Sequence, residues 1–500
     1  MSSPARITMI ALLYSCLGLL TACSDDNDND RGSGSTQYLP ISLAGVESPP
    51  DVGAPNLLST NFDLATVGYE QREYFLAGSA ASFSNTNELD EDGRWQAEPG
   101  ALADYRIRVL VYRPLAETDY SGTVFVEWLN VTAGFETPPS WGSGHTEILR
   151  AGHAWVGVSA QYVGIEGSPR ALLPLHLKAV NPQRYGSLLH PGDSFSYDIF
   201  SQVARALRQT GGSDLLRGLA PRRLIAMGQS QSAGRLATYI NAIHPLYHAY
   251  DGYMVHSRGA GSSPLSQAPE VAIPTPEVVK LRTDLDVPVF SFQTETDVIA
   301  AGGVNARQED SSRFRLWEVP GAAHGDYYSF VSGRDDTGVD PKYAVVVENN
   351  SVLGYITCER PINSGPLTWV FNAALSSLHH WVLNGALPAR AHRIALSDDN
   401  TAFTRDELGN VKGGVRTPYV DEPAAVLSGE PNSGASFCFL FGTTALFDAA
   451  TMASRYVDKA NYIKVVSAAT DKAVAKGFVL AADGERIKAA AALQWDRAMD

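Results

Sequence analysis

The 500-residue chain has little cysteine, no surplus of positive charge and no apolar run long enough to cross a membrane with confidence. Each shortage excludes something. Four cysteines cannot staple a disulfide-dense scaffold, so a hydrophobic core must hold the fold. Asp and Glu outnumber Lys and Arg by 54 to 39, a formal net charge of -15. Phosphate backbones repel such a surface, so nucleic acid is not an expected partner. No pair of histidines has the H-E-x-x-H spacing that holds zinc, and neither a metal nor a cofactor is expected. No repeat of solenoid length recurs. What is present is globular composition: 44% hydrophobic and 19% charged residues, in a chain long enough for one large domain or two ordinary ones.

The first residues are not fold. Arg6 precedes an apolar stretch, Ile7 to Leu20, of signal-peptide length, ending Leu20-Thr21-Ala22-Cys23. Small residues before a cysteine resemble a bacterial lipobox. Residues 1–22 are then a lipoprotein signal peptide and Cys23 the lipidated N-terminus, with Ser24 after it matching the outer-membrane default. Residues 23–37 contain SDDNDNDRGSGST, which has no apolar residue and reads as a flexible acidic tether. Asp26, Asp28 and Asp30 alternate as in a calcium loop, but the glycine comes one residue late and the closing Glu is missing. An exported chain meets oxidising conditions, where Cys358 and Cys438 can form a disulfide; two buried thiols are the alternative.

Residues 38–500 read as one unit, with a core at about 105–390 and an appended segment packed on it at about 391–500. Tyr105 to Tyr112 alternates polar and apolar, a half-buried strand that Pro114 ends. Thr123–Leu129, Ala154–Ala160, Arg223–Met227, Gly252–His256, Val287–Phe292 and Phe314–Val319 are near-continuous apolar strands. Between them, Glu147–Ala151, Ser196–Arg208 and Ala233–Ile243 carry helical spacing, the last expected to stop at His244-Pro245. A further helix is expected over Trp369–Trp381, a strand region over Gly409–Pro423 and a helical tail beyond it. Alternation of strand and helix predicts an α/β fold with a mostly parallel central sheet and helices on both faces.

The strand Leu224–Met227 runs into Gly228-Gln229-Ser230-Gln231-Ser232-Ala233-Gly234 and then a helix. A serine hydroxyl is a weak nucleophile and must be presented on a tight strand-to-helix turn, with small residues two positions before and after it. Gly228 supplies the first, and Ser232 stands where G-x-S-x-G has its second glycine. Ser230 is the expected nucleophile, with Ser232 as a rival centre. An acid and then a histidine must follow. Asp297, in the loop after Pro288–Phe292, is the expected acid and Glu295 the alternative. His324, in Gly321-Ala-Ala-His324-Gly325-Asp326 after Phe314–Val319, is the expected general base. The oxyanion calls for two N–H groups: Gln231 after the nucleophile, and Asn130 or Val131 after the strand ending at Leu129.

These motifs resemble the secreted bacterial "alpha/beta hydrolase domain" family, whose elbow reads G-x-S-Q-S. Gly157-Val-Ser-Ala-Gln161, Gly192–Asp198, Trp381–Gly385, Gly409–Pro418 and Gly477–Leu480 extend the likeness across most of the mature chain. The resemblance implies the α/β-hydrolase fold and serine hydrolysis, with the tail after Ala395 in the same unit. Trp128, Phe135 and Trp141 flank the expected oxyanion loop, and the excursion Tyr162–Phe195, with Ala171–Leu177 apolar, is expected to form a wall or lid. The reading is a carboxylic ester hydrolase, acting through an acyl-enzyme on a small ester with an apolar or aromatic portion. The membrane is a partner through the lipid anchor alone. Two other readings use the same scaffold: a catalytically silent surface lipoprotein that binds a ligand, and an acyltransferase.

Overall fold

Strands with both faces covered alternate their residues between two cores, and the central strands of this chain do so. Along β4 (Thr123–Trp128), Val124, Val126 and Trp128 enter one cluster and Phe125 the other. Along β6 (Arg223–Gln229), Leu224 and Ala226 face one way, Ile225 and Met227 the other. The computed structural model describes residues 38–209 and 214–499. The signal peptide, Cys23 and the acidic tether expected from the sequence lie outside the described residues.

The remaining strands of the main sheet are β1 (Gly45–Glu47), β2 (Tyr69–Asn85), β3 (Ala97–Pro114), β5 (Ala154–Val158), β7 (Gly252–His256), β8 (Val289–Thr294) and β9 (Phe314–Val319). Their order is β1-β2-β3-β5-β4-β6-β7-β8-β9. From β5 to β9 every pairing is parallel, whereas β1, β2 and β3 join antiparallel, with β3 against β5. The β2–β3 hairpin is the part the sequence conceals. Only the end of β3 reads as a strand; β2 is polar along much of its length and its start moves the sheet's beginning well before residue 105.

β4 lies between β5 and β6, so the chain leaves it to one side and returns to the other. Right-handed crossovers in opposite directions put their helices on opposite faces. The helix Pro139–Arg150 joins Leu367–Asn384 in one core cluster, and Ser196–Leu207 joins Gln231–Thr238 in the other. The crevice outside the ends of β4 and β6 is the switch point where ligands bind in open α/β sheets.

Local chemistry explains the departures from expectation. The helix after β6 does not stop before Pro245. A wide turn, Tyr239–Ile243, lets the chain continue into His244–Tyr247, where Pro245 sits in the first turn and needs no N–H partner. Gly409–Pro423 holds isolated bridges, Arg405–Val411 and Ile394–Gly413, and a helical turn, Pro418–Asp421; the strand comes just after it, β12 (Ala425–Ser428) pairing with β13 (Thr443–Leu446). A short hairpin, β10 (Ser351–Val352) and β11 (Ile356–Thr357), precedes Cys358, which is joined to Cys438 by a disulfide. The tail is helical over Ala449–Tyr456, Lys459–Ala475 and Ala481–Met499, and packs its own cluster with Trp369 and Tyr328 of the body.

The helix Pro139–Arg150 has no side-chain cap from the residue before it. Its free N–H groups at Ser140 and Trp141 instead reach Glu127 of β4, at 2.8 and 2.9 Å, and Trp155 Nε1 donates to the same carboxylate at 2.9 Å. Burial pushes the Glu127 carboxyl up to about 7, the three donors offsetting only part of it. The folded chain therefore binds this proton more tightly than the unfolded chain, and the stability so gained is full below about pH 4.5 and lost as pH rises through about 7. Glu127→Gln should narrow the difference in unfolding free energy between pH 5 and pH 8 by on the order of 2 kcal/mol, read by urea unfolding at both values. An unchanged difference would show that Glu127 does not titrate in this window.

Candidate active site

β6 ends at Gln229 and the helix begins at Gln231, so Ser230 alone must turn the chain. It does so at φ 61° and ψ -120°, a left-handed conformation costly for a residue with a Cβ. Its N–H is held by His256 O of β7 at 2.9 Å, and its carbonyl by Gly234 N at 3.0 Å. Gly228 allows the close crossing of strand and helix: a Cβ there would stand 3.0 Å from Ser232 O and 3.2 Å from Leu236 Cδ1. Ser230 is half-buried and lines a cavity. The rival Ser232 is fully buried in the first helical turn, with an unpartnered hydroxyl, and does not line it.

Asp297 sits in the single helical turn Glu295–Val298 that follows β8. Its side chain is wholly buried and its two oxygens have separate partners. Oδ1 meets His324 Nδ1 at 2.6 Å; Oδ2 accepts from Thr294 N and Thr294 Oγ1, both at 2.7 Å. Burial pushes this carboxyl up, but the facing imidazole and the two Thr294 donors outweigh it and hold it below the usual carboxylate range. An ionised carboxylate only accepts, so Nδ1 of His324 carries a proton toward it. His324 lines the same cavity as Ser230.

Glu295, the alternative acid, is placed elsewhere. Its carboxylate accepts from Gly321 N at 2.6 Å and Gly429 N at 2.7 Å, which fixes the loop carrying His324 to the C-terminal segment. Burial pushes it up to about 7, against those two donors. The same loop is held by Thr296, whose hydroxyl accepts from His324 N at 3.1 Å and donates to Gly429 O at 2.6 Å, and by Gly325 N on Leu440 O at 3.1 Å. Residues 391–500 thus help position His324 as well as packing on the core.

The oxyanion loop needs a correction at Asn130. Its N–H is committed to Thr137 O at 2.9 Å in an antiparallel bridge, so it is not free for an oxyanion. The Asn130 side chain instead ties this loop to the strand before Ser230, since Nδ2 donates to Gln229 O at 3.0 Å while Oδ1 accepts from Thr132 N at 2.8 Å. Val131 stands next in the loop, and Gln231 opens the helix after Ser230, where the first N–H groups have no intrahelical acceptor. Glu136, further along the loop, is clamped by the fully buried Arg108, which also meets Ser159 Oγ at 3.1 Å.

The cavity measures about 160 Å³. One wall is Leu172, Leu173 and Leu175 from the Tyr162–Phe195 excursion, and another is the β10–β11 hairpin with Phe437, Leu440 and Phe441. The Cys358–Cys438 disulfide connects the two segments of that second wall. Of the three aromatics beside the oxyanion loop, Phe135 alone lines the cavity. Trp128 packs on Phe200 and Trp141 on Tyr112 and Trp155 in the two cores.

Sequence reasoning missed three neighbours. His256 lies buried on Phe371, with ring centroids 4.2 Å apart, and burial lowers it to about 3, so it is neutral. A histidine inside an apolar strand gives no signal of this. The β10–β11 wall and Arg334 lie in loops whose spacing carries no pattern.

A family model described as alpha/beta hydrolase domain matches residues 46–489. A search of curated proteins finds no match. Among solved structures, a serine hydrolase without a lid from Xanthomonas campestris is 13% identical over 44% of this chain and 80% of its own, with a TM-score of 0.28. A serine hydrolase homologue from Coxiella burnetii is 12% identical over 46% of this chain and 86% of its own, at a TM-score of 0.27. A fungal esterase from Rhizomucor miehei is 14% identical, covering 50% and 78%, at 0.27. The family match spans the sheet, the elbow and most of the C-terminal tail, and this chain belongs to the alpha/beta hydrolase domain family.

Proposed function

We propose that the protein is a carboxylic ester hydrolase that works through an acyl-enzyme on Ser230. The observation that supports it is the His324 Nδ1–Asp297 hydrogen bond at the edge of a cavity that Ser230 also lines. In this reading Ser230 Oγ attacks the ester carbonyl carbon while its proton passes to His324 Nε2. Gln231 N–H and Val131 N–H receive the developing oxyanion. As the tetrahedral species collapses, the C–O bond to the alcohol breaks and the alcohol leaves with the proton from Nε2. Water then attacks the acyl-enzyme, giving its proton to Nε2, and the acid is released as that proton returns to Oγ. Asp297 holds the ring in its tautomer and balances the imidazolium. The leucine and phenylalanine walls favour an ester with an apolar or aromatic portion.

A fluorophosphonate probe tests the nucleophile: Ser230 Oγ displaces fluoride at phosphorus, and peptide mapping should find the adduct there. Ser230→Ala should abolish labelling, and Asp297→Asn should lower turnover of 4-nitrophenyl esters about 10³–10⁴-fold by upsetting the tautomer. Ser232→Ala removes a buried hydroxyl with no partner, so labelling should persist and stability should not fall. Unaltered ester turnover in Ser230→Ala would sink the reading.

The proposal extends to location. The lipobox-like Leu20-Thr21-Ala22-Cys23 supports lipid anchoring at the bacterial outer membrane after removal of residues 1–22. In a bacterial host, Cys23→Ser should end palmitate incorporation and move the protein out of the detergent phase; labelled Cys23→Ser would refute the anchor.

A further inference from the structure

Among the described residues, Arg334 is the only lysine or arginine that lines the cavity, and no Asp or Glu lines it at all. Arg334 belongs to a single turn, Ser332–Asp335, shortly after the histidine loop. Its carbonyl is pinned by Asn61 N at 2.8 Å. The two carboxylates that follow it in sequence are committed elsewhere. Asp335 accepts from Asn61 Nδ2 at 2.9 Å. Asp336 accepts from Tyr328 OH at 2.7 Å, Gly338 N at 2.8 Å and Arg486 Nη2 at 2.6 Å. The guanidinium is left without an ion pair, and its Nε is buried with no partner.

Unpartnered guanidinium nitrogens occur on Arg235, Arg258, Arg315 and Arg486 too, but the buried arginines, Arg258 aside, differ from Arg334 in having a carboxylate partner. Arg108 meets Glu136, Arg184 meets Glu73, Arg235 meets Asp193, Arg315 meets Asp310 and Arg486 meets Asp336. Arg258, which has no carboxylate, donates to Val279 O and lies away from the cavity. A buried donor with no acceptor is a standing cost, and a guanidinium with no counter-ion beside it is open to an anion. Something that enters the cavity can supply the acceptor and the charge. A guanidinium offers forked donors that fit a carboxylate on two bonds. One cation with no second positive side chain matches one negative charge, which favours a carboxylate over a doubly charged phosphate monoester.

We infer that Arg334 recognises a carboxylate on the substrate, so that the ester cleaved at Ser230 bears an anionic group beyond its apolar portion. This rests on the hydrolase reading for the reaction, though the binding role of Arg334 does not require turnover. The substrate class is then the monoester of a dicarboxylic acid, or the ester of an alcohol that carries a carboxylate. The apolar walls hold the middle of the molecule and the two polar ends are read separately.

Two measurements on the purified protein test it. By calorimetry, the wild type should bind 4-phenylbutyrate at least about tenfold more tightly than the isosteric 4-phenylbutyramide. Arg334→Gln should remove that preference, and Arg334→Lys, which keeps the charge but not the fork, should retain part of it. In turnover, the ratio of kcat/KM for mono-4-nitrophenyl glutarate over 4-nitrophenyl butyrate should fall by a similar factor in Arg334→Gln, chiefly through KM. Equal binding of acid and amide by the wild type, or a preference that survives in Arg334→Gln, would overturn the proposal. An Arg334-dependent preference without cleavage of either ester would support carboxylate recognition and tell against the hydrolase reading.

Discussion

A single buried carboxylate with two separate partners governs this site. Asp297 spends one oxygen on His324 and the other on Thr294, at the end of the strand that carries it. Neither bond can be dropped cheaply, since an ionised group sealed from water depends on every donor it has. The first bond aims the imidazole; the second fixes the carboxylate to the sheet. Geometry generated in β8 is thereby handed to a loop that follows β9. Glu295, two residues earlier, ties that same loop at Gly321 to Gly429, so two neighbouring acids hold opposite ends of the histidine segment.

Other buried charges act on the facing loop in the same manner. Arg108 clamps Glu136, and Glu127 takes the first N–H groups of the helix Pro139–Arg150. The loop between them therefore has fixed ends although its own sequence is short and glycine-containing. Asn130 then stitches it to Gln229, beside the serine. Strand ends at the switch point bring the three segments together, and polar side chains from within the sheet set their relative positions.

Much of this is legible in the sequence where a local rule applies. Six of the parallel-sheet strands show as apolar runs because both faces are buried. The turn at Ser230 shows because a strand, a glycine and a helix must follow in order. An acid after β8 and His324 after β9 follow from chain order and from the strands they succeed, and the structure brings Asp297 and His324 into contact. Asp297 and Glu295 are separable only in three dimensions: both follow β8, and what distinguishes them is that the helical turn points one at an imidazole and the other at backbone amides. β2 is hidden because an antiparallel hairpin at the sheet margin tolerates polar residues that a central strand cannot. Asn130 departs from expectation because its N–H is taken by Thr137, a contact seven residues away that composition does not reveal. The wall made by β10, β11 and residues 437–441 joins segments far apart in the chain, and Arg334 matters through the partners it lacks, which no spacing encodes.

The bond between Cys358 and Cys438 closes that wall across 80 residues of sequence. Leu440, two residues past Cys438, also takes the Gly325 N–H beside His324, so the bridge anchors both the apolar wall and one hold on the histidine loop. With the bridge reduced, the wall and that hold would loosen together.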